Sequence, residues 1–208
     1  MHVAHKAILI STLVLLPFGY RYAHGQDTFL GRSADQWTAT LTSSEGQQRE
    51  HAAWAVAQLA ARSAGGPSDQ VHFAELVKLI SDGDATVRYW SVQGLESFAR
   101  KLGAKGAAQT AIANTLEPLL ADKSPAPRIA AAGALGALGK VDKALPVLVA
   151  AMGDPQEAVR IQAVASLERL GPAARPAEAT LKAATSDSSE YVKRISERAL
   201  KGLAAEKK

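Results

Sequence analysis

The chain has 208 residues, 42 of them Ala, no Cys, 5% aromatic residues and a formal net charge of +4. So much Ala with so few aromatic residues excludes an all-β sandwich or barrel, because Ala is the best helix former and strands favour aromatic and β-branched side chains. The lack of Cys excludes a disulfide framework, a Cys-ligated zinc or iron–sulfur site, a Cys nucleophile and a lipidated N-terminal Cys. The small charge excess is not the concentrated basic stripe that nucleic-acid binding requires.

The first element is a secretory signal over residues 1–25. Lys6 precedes AILISTLVLLPF (7–18), an apolar run of 12 residues, and Pro17 and Gly19 end it. Ala23 and Gly25 stand as the small residues of a cleavage site. The run is shorter than the roughly 20 residues that a membrane helix needs. The alternative is an uncleaved anchor. Cleavage after Gly25 leaves a domain over 26–208 with net charge +2, no integral membrane segment and a periplasmic or extracellular location, where DNA is no partner.

The rest of the chain repeats itself. Asp82…Arg88, Asp122…Arg128, Asp154…Arg160 and Asp187…Lys193 each place a basic residue six positions after an acid, and Ser43…Arg49 is a degenerate copy. Successive basic residues are 39, 40, 32 and 33 apart, the period of a two-helix solenoid unit. Three positions after the basic residue stand only small residues: Ala52, Ser91, Ala131, Ala163 and Ser196. Seven after stand Val56, Leu95, Leu135, Leu167 and Leu200, and ten after stand Leu59, Phe98, Leu138, Leu170 and Leu203. These offsets share one helix face. Ahead of the acid, Trp37, Leu76, Leu116, Leu148 and Leu181 mark a preceding helix.

In chain order, first helices are expected near 33–42, 69–80, 106–121, 141–152 and 175–185, and second helices near 46–62, 84–101, 125–138, 155–170 and 188–203. The units are then 33–62, 69–101, 106–139, 141–171 and 175–203. Ser33 and Gln36 have capping-box spacing. The loosest linker is ARSAGGPSD, 61–69. Pro125 and Pro155 suit helix starts, whereas Pro118 and Pro146 should kink first helices. Each Asp should cap the following helix, and each basic residue should reach the Asp of its own or the adjacent turn, which makes a charge ladder. Truncating Leu135 or Leu167 should cost roughly 2–5 kcal/mol. A change at Gln162, taken as ordinary surface, should cost under about 0.5 kcal/mol.

DGDATVRYWSVQGLESFARKLG and GDPQEAVRIQAVASLERLG, with their D-x(5)-R cores and trailing L-x-x-L-G, resemble HEAT repeats of the bacterial type first noted in phycobilin lyases. The resemblance covers about 33–203 and implies an all-α, right-handed α–α superhelix, an armadillo-like solenoid of about five helix pairs. It also implies that second helices line a concave face.

No catalytic constellation stands out. Only His51 and His72 remain outside the signal, no metal-binding His spacing is present, and no phosphate loop or nucleophile elbow occurs. Asp82 and Asp84 belong to a turn and a cap. No cofactor is expected. On the second helices, His51, Trp54, Tyr89, Trp90 and Gln93 form a candidate binding patch outside the core columns, since Trp and Tyr supply contact area at low entropic cost. Alternatively, Trp54 and Trp90 fill the gap between the first two units. The middle positions Ala130, Gly133 and Ala137 carry no recognition chemistry, and Gln162, Arg169, Arg194 and Arg198 follow. The expected function is an exported, non-enzymatic scaffold or adaptor that binds another protein through the concave face. The alternatives are a bilin-lyase-like or other transferase, or a polysaccharide-binding accessory.

Overall fold

A computed structural model describes residues 28–63, 69–101, 103 and 106–205. The expected signal segment 1–25 and most of the 61–69 linker lie outside them. The first described residues form a small hairpin, β1 (Thr28–Phe29) and β2 (Arg32–Ser33), which the sequence reading did not anticipate. Its two-residue turn has φ of 50° at Leu30 and 75° at Gly31. Two positive φ angles are what a tight hairpin turn needs, and Gly31 accepts one freely.

Among the described residues, every element after the hairpin is a helix. The first helices are α1 (Ala34–Thr40), α3 (Asp69–Leu79), α5 (Gly106–Leu116), α7 (Val141–Ala151) and α9 (Glu178–Ala184). The second helices are α2 (Gly46–Ser63), α4 (Ala85–Lys101), α6 (Pro125–Ala137), α8 (Glu157–Leu170) and α10 (Glu190–Ala205). The second helices stack in chain order, each against the one before it, and each first helix packs on its own partner. The fold is an α-solenoid, in which each pair buries its apolar face against its neighbours.

The repeat columns are the seam of this stack. The small column from Ala52 to Ser196 is completely buried, and so are Leu76, Leu116, Leu148 and Leu181 of the first helices. Val56, Leu95, Leu135 and Leu167 are also fully buried, whereas Leu200 in the terminal pair is half-buried. The capping box at α1 forms, with Gln36 donating its backbone N–H to Ser33 Oγ and Ser33 donating its own to Gln36 Oε1. Gly139, at φ 80°, ends α6 in a left-handed turn, where Lys140 N–H donates to the Leu135 carbonyl at 2.9 Å.

Proline positions depart from expectation. At Pro118 the α-helix stops at Leu116 and continues as a 3-10 turn over Glu117–Ala121, rather than kinking. Helix α7 stays α-helical through Pro146, because the carbonyl left without its donor belongs to Asp142 in the first turn, on the exposed side. Pro155 precedes α8 by two residues instead of starting it. The expected helix over 175–185 is split into a 3-10 segment, Gly171–Ala177, and the short α9, since Pro172 and Pro176 remove two donors.

The acid and basic columns interlock as a ladder with one missing rung. Asp82, Asp122, Asp154 and Asp187 each accept, through Oδ1 at 2.8 Å, the backbone N–H two residues on. Capping proper falls to the next polar residue: Asp84 accepts from Thr86 and Val87 N–H. Arg88 donates to the carbonyls of Asp82 and Gly83, then grips Asp122 of the following unit with Nε at 2.6 Å and Nη2 at 2.8 Å. Arg160 repeats this on Asp187 with both bonds at 2.9 Å, and Arg49 lies 3.6 Å from Asp82. Arg128 holds the Asp122 carbonyl, but among the described residues no ion pair joins it to Asp154. Lys193 pairs locally with Glu190 at 2.6 Å.

Candidate binding groove on the second helices

Three second helices, α4, α6 and α8, present a continuous face, and their side chains decide its shape. Helix α6 contributes the small, exposed Ala126, while its Ala130 and Gly133 are buried. Tyr89 rises from α4, and Ile161 and Gln162 rise from α8. The result is a groove of about 380 Å³ walled by Tyr89, Ala158, Ile161, Gln162 and Ala165 over Ala126. Gln162 is therefore not ordinary surface: its amide donates to the Ala126 carbonyl at 3.0 Å and ties α8 to α6.

One helical turn further along lies a charged cluster. Arg169 of α8 reaches across α6 and donates from Nη1 to Glu96 Oε1 of α4 at 3.2 Å. The absent side chain at Gly133 leaves room for this path. A Cβ at Gly133 would stand 2.9 Å from Arg169 Nη2 and 3.0 Å from Ser166 Oγ. The Glu96 side chain is 7% exposed, and its Oε2 has no hydrogen-bond partner. Arg169 remains 48% exposed, and Arg100, with Nη1 4.0 Å from the same carboxylate oxygen, 69%. Burial pushes the Tyr89 phenol up from its ordinary pKa; Arg169 acts against that rise and Glu96 adds to it.

The aromatic residues singled out in the sequence come together beside this groove. Trp54 and Trp90 meet edge to face at 6.4 Å, linking α2 to α4, and Tyr89 meets Trp90 at 5.1 Å. Trp54, Tyr89, Trp90 and Gln93 are half-buried, and His51 is exposed. The side chain of His72 lies outside the described residues. Phe29 of the hairpin packs on Trp54 at 4.9 Å, and its carbonyl accepts from Trp37 Nε1 at 2.9 Å. No pattern pointed to Phe29, because a lone Phe before the first repeat has no column to join.

Glu96 also escaped the sequence reading, although a signal existed. Eight positions after the basic residue stand Ala57, Glu96, Gly136 and Glu168, so two units place an acid where two others place a small residue. Both acids take an Arg from a later unit: Glu168 receives Arg198 at 2.7 and 2.9 Å, and Glu96 receives Arg169 across the intervening unit. Among the described residues no group of three His, Asp or Glu side chains is placed to hold a metal ion. Nor is any described helix long and apolar enough to cross a membrane.

A family model described as HEAT repeats matches residues 112–201. No curated protein matches the chain. Among solved structures, the complex of CpcE and CpcF of phycocyanin lyase from Nostoc sp. PCC7120 superposes with a TM-score of 0.59 at 18% identity, over 91% of this chain and 71% of that one. An engineered protein superposes at 0.56 and 21% identity, over 83% and 79%. A designed armadillo repeat protein in complex with the peptide (KR)4 superposes at 0.54 and 20% identity, over 82% of each chain. At these identities the likeness establishes a shared fold.

Proposed function

We propose that this chain, an α-solenoid whose residues 112–201 match the HEAT-repeat model, is an exported, non-enzymatic scaffold that binds a segment of another protein along α4, α6 and α8. The observation that carries this is the groove in which Ala126 of α6 lies between Tyr89 of α4 and Ile161 and Gln162 of α8. A designed armadillo protein of the same fold holds a peptide, which supports the same use of the repeat stack here. Export rests on the pattern of residues 1–25, and N-terminal sequencing of the protein from an envelope fraction should begin at Gln26.

The test of binding is a paired pull-down from that fraction with the wild type and Ala126→Trp, a bulky group set on an exposed position of the groove floor. Both proteins should give the same circular dichroism spectrum, and partners should be recovered by the wild type alone. Identical recovery by both would remove the groove from consideration. The likeness to a phycocyanin lyase complex favours one second reading, a transferase that handles a bilin. Absorbance titration with a free bilin separates the two, because an unshifted pigment spectrum disposes of the transferase.

A further inference from the structure

The groove has two chemically distinct steps, and their combination specifies what fits. The first step is the well between Tyr89 and Ile161, with Ala126, Ala158 and Ala165 in its lining. It takes an apolar side chain. The second is the guanidinium of Arg169 lying over Gly133, one turn beyond Ala165 on α8.

The charge offered at the second step is positive. Glu96 is enclosed and bound to Arg169, so its carboxylate is not available to an incoming group. Two guanidinium groups, Arg169 and Arg100, face this one carboxylate, and both are far more exposed than it is. The neighbouring acid Glu168 is neutralised by the two-pronged grip of Arg198. Arg169 is also held in place before any ligand arrives, by Glu96 on one side and by Ser166 Oγ at 3.4 Å on the other. Such pre-organisation reduces the entropy lost on binding, and a planar guanidinium matches a carboxylate with two parallel hydrogen bonds.

Resting on the reading that this face takes a protein segment, we propose that the segment is an extended acidic peptide with an apolar side chain in the well and an Asp or Glu carboxylate on Arg169. The well lies over Ala126 and the guanidinium over Gly133, two turns of α6 apart, about 10 Å along its axis. An extended chain advances about 3.3 Å per residue. The recognised pattern is thus an apolar residue with an acid two or three residues further along.

The test uses the full chain and three acetylated, amidated peptides of equal length that carry Leu-Ser-Asp-Asp, Leu-Ser-Asn-Asn or Leu-Ser-Lys-Lys, so that both spacings are offered and no terminal carboxylate contributes. Tryptophan fluorescence reports binding, since Trp90 touches Tyr89 in the wall. The Asp peptide should bind about tenfold or more tighter than the Asn peptide, the loss expected for one charge-assisted contact. The Lys peptide should be weaker still, and added salt should weaken the Asp peptide most. Arg169→Gln should remove the preference for Asp while the circular dichroism spectrum at the assay temperature stays that of the wild type, and Ala126→Trp should abolish binding of every peptide. A tighter Lys peptide, or an Asp preference that survives Arg169→Gln, overturns the assignment. Binding by no peptide overturns it as well. If groove-dependent partners are nevertheless recovered from the envelope fraction, the scaffold reading stands and only the chemistry of the segment is wrong.

Discussion

At the scale of single residues, the most consequential contact is Arg88 with Asp122. Their side chains are 7% and 5% exposed, and the guanidinium also satisfies two carbonyls of the turn before it. Arg88→Ala leaves the carboxylate with the Ser124 N–H but no cation, and leaves those carbonyls without their side-chain donor. It should cost roughly 2–3 kcal/mol, between an exposed pair's ~1 and the ~3–5 of a fully enclosed one. Arg198→Ala, at an exposed pair, should leave the melting temperature nearly unchanged. Urea titration of both variants checks the ranking.

The same contact sets an acid response. The hydrogen bond from Arg88 holds the Asp122 carboxyl below the usual carboxylate range, against its burial, and Arg160 does the same to Asp187. A carboxyl whose folded pKa is depressed contributes stability that is complete above its unfolded pKa of about 3.9 and is lost as pH falls towards the folded value. Thermal melts between neutral pH and pH 2 should therefore fall most steeply below about pH 4. Asp122→Asn, less stable at pH 7, should show a shallower fall, and an unchanged slope would refute this linkage. Leu30 is a second residue-scale case. It is 68% exposed at φ 50°, a conformation that costs a branched L-residue about 1 kcal/mol and that Asn tolerates. Leu30→Asn should raise the melting temperature slightly.

At the scale of elements, the small column determines how closely helices approach. A Cβ at Gly94 would stand 2.8 Å from Leu76 and 3.1 Å from the Ala57 backbone, so α2, α3 and α4 meet there at their limit. Gly94→Ala gains about 1 kcal/mol in helix propensity and should still destabilise by about 1–3 kcal/mol through overpacking. The two serines of the column behave oppositely. Ser91 donates to the Leu76 carbonyl, whereas the buried Ser196 hydroxyl has no partner. Ser196→Ala should stabilise and Ser91→Ala destabilise, each by about 1 kcal/mol in chemical denaturation.

At the scale of the whole molecule, two apolar cores divide the stack, one built from Trp37 to Leu138 and the other from Ile129 to Leu203. Helix α6 contributes to both, and the ladder lacks its rung at the same place, between Arg128 and Asp154. Solenoid stability is a sum of local terms and nearest-neighbour interfaces, so damage stays near where it is made. Leu167→Ala should accelerate amide hydrogen exchange in α8 to α10 far more than in α1 to α4. Uniform acceleration across the chain would show one cooperative unit instead. Across the missing rung, the Arg169–Glu96 contact ties the second unit to the fourth on the groove side.

The repeat by itself determined the helix pairs, their order and the buried seam. Those properties depend on apolar spacing within one helix and on a register that every copy repeats, as Leu95, Leu135 and Leu167 do. The cap at Ser33 was likewise local, as was the bond from each column Asp to the N–H two residues on. Tertiary structure decided the rest. Glu96 and Arg169 are 73 residues apart and meet over Gly133, where the absent side chain leaves room. Gln162 and Phe29 acquired partners on other elements, which no spacing in their own segment encodes. The groove itself is lined by residues of three stacked helices, which packing brings together and no one stretch of chain encodes.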